Sequence, residues 1–268
     1  MRPALLPVLA LSALAASCAL PAVSAGTFLP AGDLKRGDLH ANISFEVARV
    51  LAGPTDVDAS ARAVPPGAQQ WTVSTWATSD ASVRWQAFDR LAFEAQLKLV
   101  NPVSPFALVP IGGGIGARLR LMDRGGPKGF ALELGGRLVG IGVQQRLTRS
   151  QDLLGRQTDT WNYRSVGLEV PLIGSYRISP LVAVTASPFM RLYRIRAWHN
   201  VVAADNSVTT TLLPWTAVLT AGLGLSVAMD LGPVQLAPGL ALELSARPGG
   251  DQHTSFLFEP GLAVGTRF

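Results

Sequence analysis

The sequence predicts an all-β chain, a transmembrane antiparallel up-and-down β-barrel of about ten strands that follows an N-terminal signal peptide. Three observations predict it. Apolar and polar residues alternate with period two along most of the chain, the connections between alternating segments are short and long by turns, and the acidic residues divide by type, with Glu inside the segments and Asp outside them. Composition agrees. Of 268 residues 48% are apolar and only 15% charged, against roughly 25% charged in an average soluble domain, which excludes a disordered chain.

Residues 1–25 read as a signal peptide. Arg2 precedes an apolar stretch from Ala4 to Ala16, and Val23-Ser24-Ala25 gives a small-residue cleavage site before Gly26. The stretch is short for a helix that must supply about 20 apolar residues to cross a bilayer. Ala16-Ser17-Cys18 competes as a lipoprotein site, but Ala15 stands where such sites carry Leu. Residues 26–38 form a short lead, and the barrel domain is expected over 39–268.

The eighteen uncharged residues from Leu212 to Met229 tempt a transmembrane-helix reading, but their pattern is that of a strand. Leu213, Trp215, Ala217, Leu219, Leu223, Leu225 and Val227 alternate with Pro214, Thr216, Thr220, Gly222, Gly224 and Ser226. Similar alternation runs over about 39–50, 70–88, 91–100, 111–122, 130–143, 161–177, 181–198, 234–247 and 255–268. Apparent phase slips near Val139 and Tyr193 predict β-bulges. Short connections fall at Asp89-Arg90, 123–129, Ser179-Pro180 and 230–233, and long loops are expected at 51–69, 101–110, 144–160, 199–211 and, less long, 248–253. Tight turns at one end and long loops at the other are the habit of a meandering membrane barrel.

Period two does not by itself say which face is outside; the polar face decides. It carries all six Glu and most of the strand Arg, interspersed with Gly, Ala and Ser, whereas all twelve Asp are assigned to loops, turns or segment ends. Arg with Glu suits ion-paired packing in a confined lumen. The expected lumen network is Glu46, Arg84, Glu94, Lys98, Arg118, Arg120, Glu133, Arg137, Glu169, Arg177, Arg191, Glu243, Arg247, Glu259 and Arg267. Glu133 is expected to pair with Arg118 or Arg120, whose strand adjoins its own. Aromatic residues fall into two groups, Trp71, Trp161, Tyr163, Trp198 and Trp215 toward the loop end and Trp85, Tyr176 and Phe268 toward the turn end, as interfacial girdles do.

The last strand resembles the C-terminal strand of bacterial outer-membrane β-barrel proteins, which ends in Phe after alternating apolar residues. Phe256, Phe258, Leu262, Val264 and Phe268 carry the match, while Pro260 and Thr266 depart from it. The resemblance covers 39–268 as an architecture. It implies residence in the outer membrane, outer-membrane lipid and the barrel assembly machinery as partners, a periplasmic position for the lead, and Phe268 as the C-terminal assembly signal.

Other chemistry finds little footing. The net charge of +5 comes without a basic run able to track a phosphate backbone, so nucleic acid is not an expected partner. One Cys excludes a disulfide framework, and three scattered His exclude a zinc cluster of familiar spacing. Gly112-Gly113-Gly114-Ile115-Gly116 runs on into strand alternation and opens no nucleotide-binding helix. Asp56-Val57-Asp58 lacks the Gly and closing Glu of a calcium loop. No cofactor, metal or catalytic residue is therefore assigned, and no extracellular ligand can be named. The function expected is non-enzymatic: a barrel with a plugged, Arg/Glu-lined lumen and a structural or surface-interaction role through its long loops. The alternatives are a narrow, porin-like channel with a weak preference for anions, and a rim hydrolase built from His199, His253, Asp205 and Asp251, by resemblance to ten-stranded outer-membrane proteases.

Overall fold

In the computed structural model the described residues are 20–21, 28, 30–32, 34–47, 49–52, 73–74, 77–101, 109–124, 128–151, 155–202, 207–212, 215–246 and 254–268. Ten long strands run in sequence: β1 (Leu39–Val47), β2 (Ala77–Trp85), β3 (Leu91–Asn101), β4 (Val109–Arg124), β5 (Phe130–Gln151), β6 (Gly155–Ser179), β7 (Val182–Val202), β8 (Thr216–Asp230), β9 (Val234–Ala246) and β10 (Thr254–Arg267). Each pairs antiparallel with its chain neighbours, and β10 pairs back onto β1, so the sheet closes. Closure leaves no unpaired edge, the condition for a sheet to lie in hydrocarbon. Phe268 completes the seam, donating its N–H to the Leu39 carbonyl at 2.9 Å and accepting from the Leu39 N–H at 3.2 Å. A short bridge joins Leu20–Pro21 to Val73–Ser74 outside this ladder.

The face assignment follows the alternation. Outward positions such as Val166, Leu168 and Val170 on β6, and Leu219, Leu223, Leu225 and Val227 on β8, are exposed. The residues between them, Ser165 and Glu169, or Thr220, Ser226 and Ala228, are buried. In water so continuous an apolar wall would be an aggregation surface; in lipid it is what a barrel needs, and the ionic groups are inside. The barrel spans a membrane with strands.

The structure corrects the sequence reading in three places. No bulge stands at Val139 or Tyr193: Val139 pairs with Gly114 and Tyr193 with Gly167 in unbroken register. Both side chains face inward and are buried, so the apparent slips are lumen positions filled by large side chains. Register shifts occur instead between Lys98 and Leu99 and between Arg120 and Met122. Second, 144–160 is no loop, because β5 and β6 pair without interruption to Gln151 and Gly155. Within 199–211, β7 continues to Val202 and pairs with Val208–Leu212. Both long connections are thus hairpins that carry the sheet past the barrel, in the β5–β6 case for nine residues beyond the Gly142–Arg164 pair, roughly 30 Å along the strand. Third, Asp80 lies within β2 and is buried, against the assignment of every Asp to a connection.

The turn end is tight, as expected. Phe88 and Leu91 exchange backbone hydrogen bonds around Asp89-Arg90, and the Leu231 N–H donates to the Val234 carbonyl at 2.8 Å across a turn in which Gly232 takes φ +87°. The expected Asp56–Asp58 loop and Cys18 lie outside the described residues.

Candidate functional site in the barrel lumen

The small residues of the inward face concentrate on one side of the bore. Ala183, Ala228, Ala237, Ala241 and Ala263, from β7 to β10, are all buried. They leave room that the wall does not fill, and Phe28 fills it, packing with them and with Phe189 at 1% exposure. Gly239 and Gly261 are required beneath the ring, since a Cβ there would stand 2.9 Å and 2.5 Å from Phe28 carbons. The described residues of the expected lead therefore lie inside the barrel, from Phe28 in the middle of the bore to Leu34 at its turn-end mouth.

Polar anchors fix that course. Ser226 Oγ donates to the Phe28 carbonyl at 2.6 Å, the Ala31 N–H donates to Ser175 Oγ at 2.7 Å, and the Gly32 N–H donates to Glu133 Oε1 at 2.9 Å. Gly32 has φ +75°, and a Cβ on it would meet the Ala131 Cβ at 2.5 Å, so glycine is needed both for the turn and for the approach. At the mouth, Arg120 Nη2 donates to the Leu34 carbonyl at 2.6 Å. These bonds satisfy backbone groups that would otherwise be stranded in the bore.

The charges fill the rest of the bore. Lys98 Nζ lies 2.7 Å from Asp80 and 3.8 Å from Glu169. Arg118 lies 2.6 Å from Glu94; Arg137 lies 3.3 Å from Glu94 and 3.1 Å from Glu169. Arg191 lies 3.8 Å from Glu169 and 3.0 Å from Glu243, so the ions form one chain from Asp80 on β2 to Glu243 on β9. Glu169 also accepts a short hydrogen bond from the Tyr193 hydroxyl. Glu133 pairs with Arg84 at 3.3 Å and with Arg120 at 3.7 Å.

Most of the sequence-expected network is therefore brought together: Arg84, Glu94, Lys98, Arg118, Arg120, Glu133, Arg137, Glu169, Arg191 and Glu243 are ion-paired with one another. Glu46 and Glu259 are buried in the same wall. Arg177 and Arg267 line the turn-end mouth, and Arg247 lies outside the described residues. Of the two partners expected for Glu133, Arg120 makes the contact and Arg118 does not, because Arg118 is engaged by Glu94. Three participants escaped the sequence reading. Asp80 shares the phase of Arg84, four residues on, which was a usable signal. Tyr193 shares the phase of Arg191, a signal obscured by taking aromatics as outward. Gln96, which accepts from Arg137 at 3.2 Å, shares the phase of Glu94 and Lys98 on either side of it.

Charge balance refines the picture. Among the described residues seven Asp or Glu and five Lys or Arg side chains are buried in the lumen. The basic excess lies elsewhere, at the turn-end mouth, where a cavity of about 490 Å³ is lined by Lys35, Arg36, Arg120, Arg177 and Arg267 against Asp89 and Asp123. Of the rim-hydrolase candidates, His199 is on β7 opposite Trp161, and His253, Asp205 and Asp251 lie outside the described residues.

No protein-family model and no curated protein matches the chain. Among solved structures it is similar to Ail, the attachment invasion locus protein of Yersinia pestis, at 8% identity, 87% of this chain, 99% of that one and a TM-score of 0.32. It is also similar to the outer membrane protease OmpT of Escherichia coli, at 9% identity, 86% of this chain, 97% of that one and a TM-score of 0.44. A third is the CymD monoaromatic hydrocarbon channel, at 9% identity, 88% of this chain, 89% of that one and a TM-score of 0.29. At such identities the likeness is one of fold, and neither activity nor ligand travels with it. The closed ten-stranded ladder, the apolar outer wall and the ion-paired interior give this chain the architecture of the bacterial outer-membrane β-barrel proteins.

Proposed function

We propose that the chain is a stoppered outer-membrane barrel, with no catalytic step of its own, that works as a structural element or surface-interaction module through the hairpins of its loop end. The observation that carries this reading is Phe28, which occupies the small-residue part of the bore while ion pairs occupy the rest. A bore of ten strands is little wider than those that side chains alone fill, and here a chain segment is added. Cleavage after Ala25 would leave Gly26 two residues before Phe28, so the mature N-terminus would itself lie in the lumen. The β5–β6 and β7 hairpins then offer rigid, sheet-built surface beyond the membrane.

The test uses the mature barrel, which has no cysteine once the leader is removed. N-terminal sequencing should read from Gly26. Phe28→Cys should resist a membrane-impermeant maleimide under conditions that label Lys35→Cys, at the exposed mouth, readily. Equal labelling rates, or a start at an acylated Cys18, would overturn the reading.

One observation favours a second reading, a narrow pore preferring anions: the cation-rich turn-end mouth. It requires the segment around Phe28 to leave the bore, and the same labelling experiment separates the two.

A further inference from the structure

Outward-facing Arg is costly in the hydrocarbon, about 2 to 4 kcal/mol at the midplane, yet among the described side chains β6 and β7 carry three. Arg164 and Arg194 are exposed on the outer wall, and Arg196 shares the outward phase of Arg194. Their level explains where they are tolerated. On β6 the outward run from Val166 to Tyr176 spans ten residues, about 33 Å along the strand, or roughly 25 Å of membrane at the usual tilt. That is the height of the apolar band; Arg164 and Arg196 stand just beyond its loop-end limit, and Arg194, opposite Val166, stands at the limit itself.

Arg164 and Arg196 are directly opposite each other in the β6–β7 ladder. Like charges so placed repel and destabilise the pair. Among the described residues neither they nor Arg194 has an acidic partner; what surrounds them is aromatic. Arg164 lies 5.0 Å from the Trp198 ring centroid, and Arg194 and Arg196 lie 6.0 and 5.9 Å from that of Trp215. The Arg196 Nε is buried without a hydrogen-bond partner. Three guanidinium groups held by two tryptophans, with a donor left over and charges in repulsion, make a site that lacks its anion.

We infer that this patch binds the phosphate of an outer-leaflet lipid headgroup, bridged between Arg164 and Arg196, with Arg194 one step deeper and Trp198 and Trp215 flanking the guanidinium groups at headgroup level. Guanidinium favours phosphate through paired, charge-assisted hydrogen bonds, and Trp favours the interface itself. A soluble anion would have no use for a site turned toward lipid at the edge of the hydrocarbon band. The inference is independent of whether the lumen conducts.

The experiment is native mass spectrometry of the mature barrel, released from a non-ionic detergent containing phosphatidic acid or phosphatidylcholine. Wild type should retain phosphatidic acid about tenfold better than phosphatidylcholine. The Arg164→Gln/Arg196→Gln variant should lose that preference, Arg164→Lys/Arg196→Lys should keep most of it, and Arg90→Gln, at an exposed turn, should match wild type. Inorganic phosphate at equal concentration should not displace the lipid. Arg164→Gln alone, in lipid-free detergent, should raise the unfolding midpoint because it relieves the opposed charges; a lowered midpoint would mean that the pair is structural and would overturn the proposal. Equal retention of the two lipids, an unchanged preference in the double Gln variant, or displacement by inorganic phosphate would also overturn it.

Discussion

Arg84 and Glu133 meet at 3.3 Å although their strands, β2 and β5, are separated by two others in the sheet. Only a narrow, curved wall brings such side chains into contact. The pair therefore reports the lumen's closure, where a cross-strand neighbour would report only local pairing.

Glu133→Gln should accordingly lower stability, by up to about 3 to 5 kcal/mol, since it withdraws a buried carboxylate charge from both Arg84 and Arg120. A double-mutant cycle with Arg84→Met should show coupling of about 0.5 to 3 kcal/mol. The same cycle with Arg118, which is engaged by Glu94 at 2.6 Å, should show much less. Urea unfolding in lipid vesicles reads both.

Asp80 and Tyr193 hold opposite flanks of the ion chain. Asp80→Asn should be the costlier change, because it removes the carboxylate charge 2.7 Å from the buried Lys98 ammonium, nearer than that of Glu169 at 3.8 Å. Tyr193→Phe removes one hydrogen bond to a carboxylate and should cost about 1.5 to 3 kcal/mol. If Asp80→Asn unfolds at the wild-type midpoint, Lys98 does not depend on it.

Inside and outside are tested by two neighbours on β9. Leu240 faces out, between Leu225 and Pro260 in the ladder, and Ala241 is fully buried beside Phe28. Leu240→Arg should destabilise insertion by about 2 to 4 kcal/mol near the midplane. Ala241→Leu should cost about 1 to 3 kcal/mol by overpacking against the Phe28 ring, while Ala241→Ser is accommodated. Normal folding of Leu240→Arg, together with failure of Ala241→Ser, would exchange the two faces.

Strand number, the inward face and most of the lumen network were legible because lipid and lumen impose opposite chemistry on alternate residues. The signal faded where that contrast ends. From Arg146 to Thr160 both faces carry polar residues, as suits strands beyond the bilayer, so the extended hairpin looked like a loop. Tyr193 and Val139 misled because a crowded bore takes large side chains too. The course of residues 28–34 has no periodicity at all; its one trace was the excess of Ala and Gly on the inward faces of β7 to β10, a vacancy whose occupant only the fold could identify.

The central claim, a bore stopped by the segment that includes Phe28, is tested most directly by single-channel conductance in planar bilayers. The mature barrel should insert without stable current steps, and deletion of Gly26–Leu34 should produce them, with anion preference set by the basic mouth around Arg177 and Arg267. Stable ohmic steps from the intact protein, unchanged by the deletion, would contradict the account.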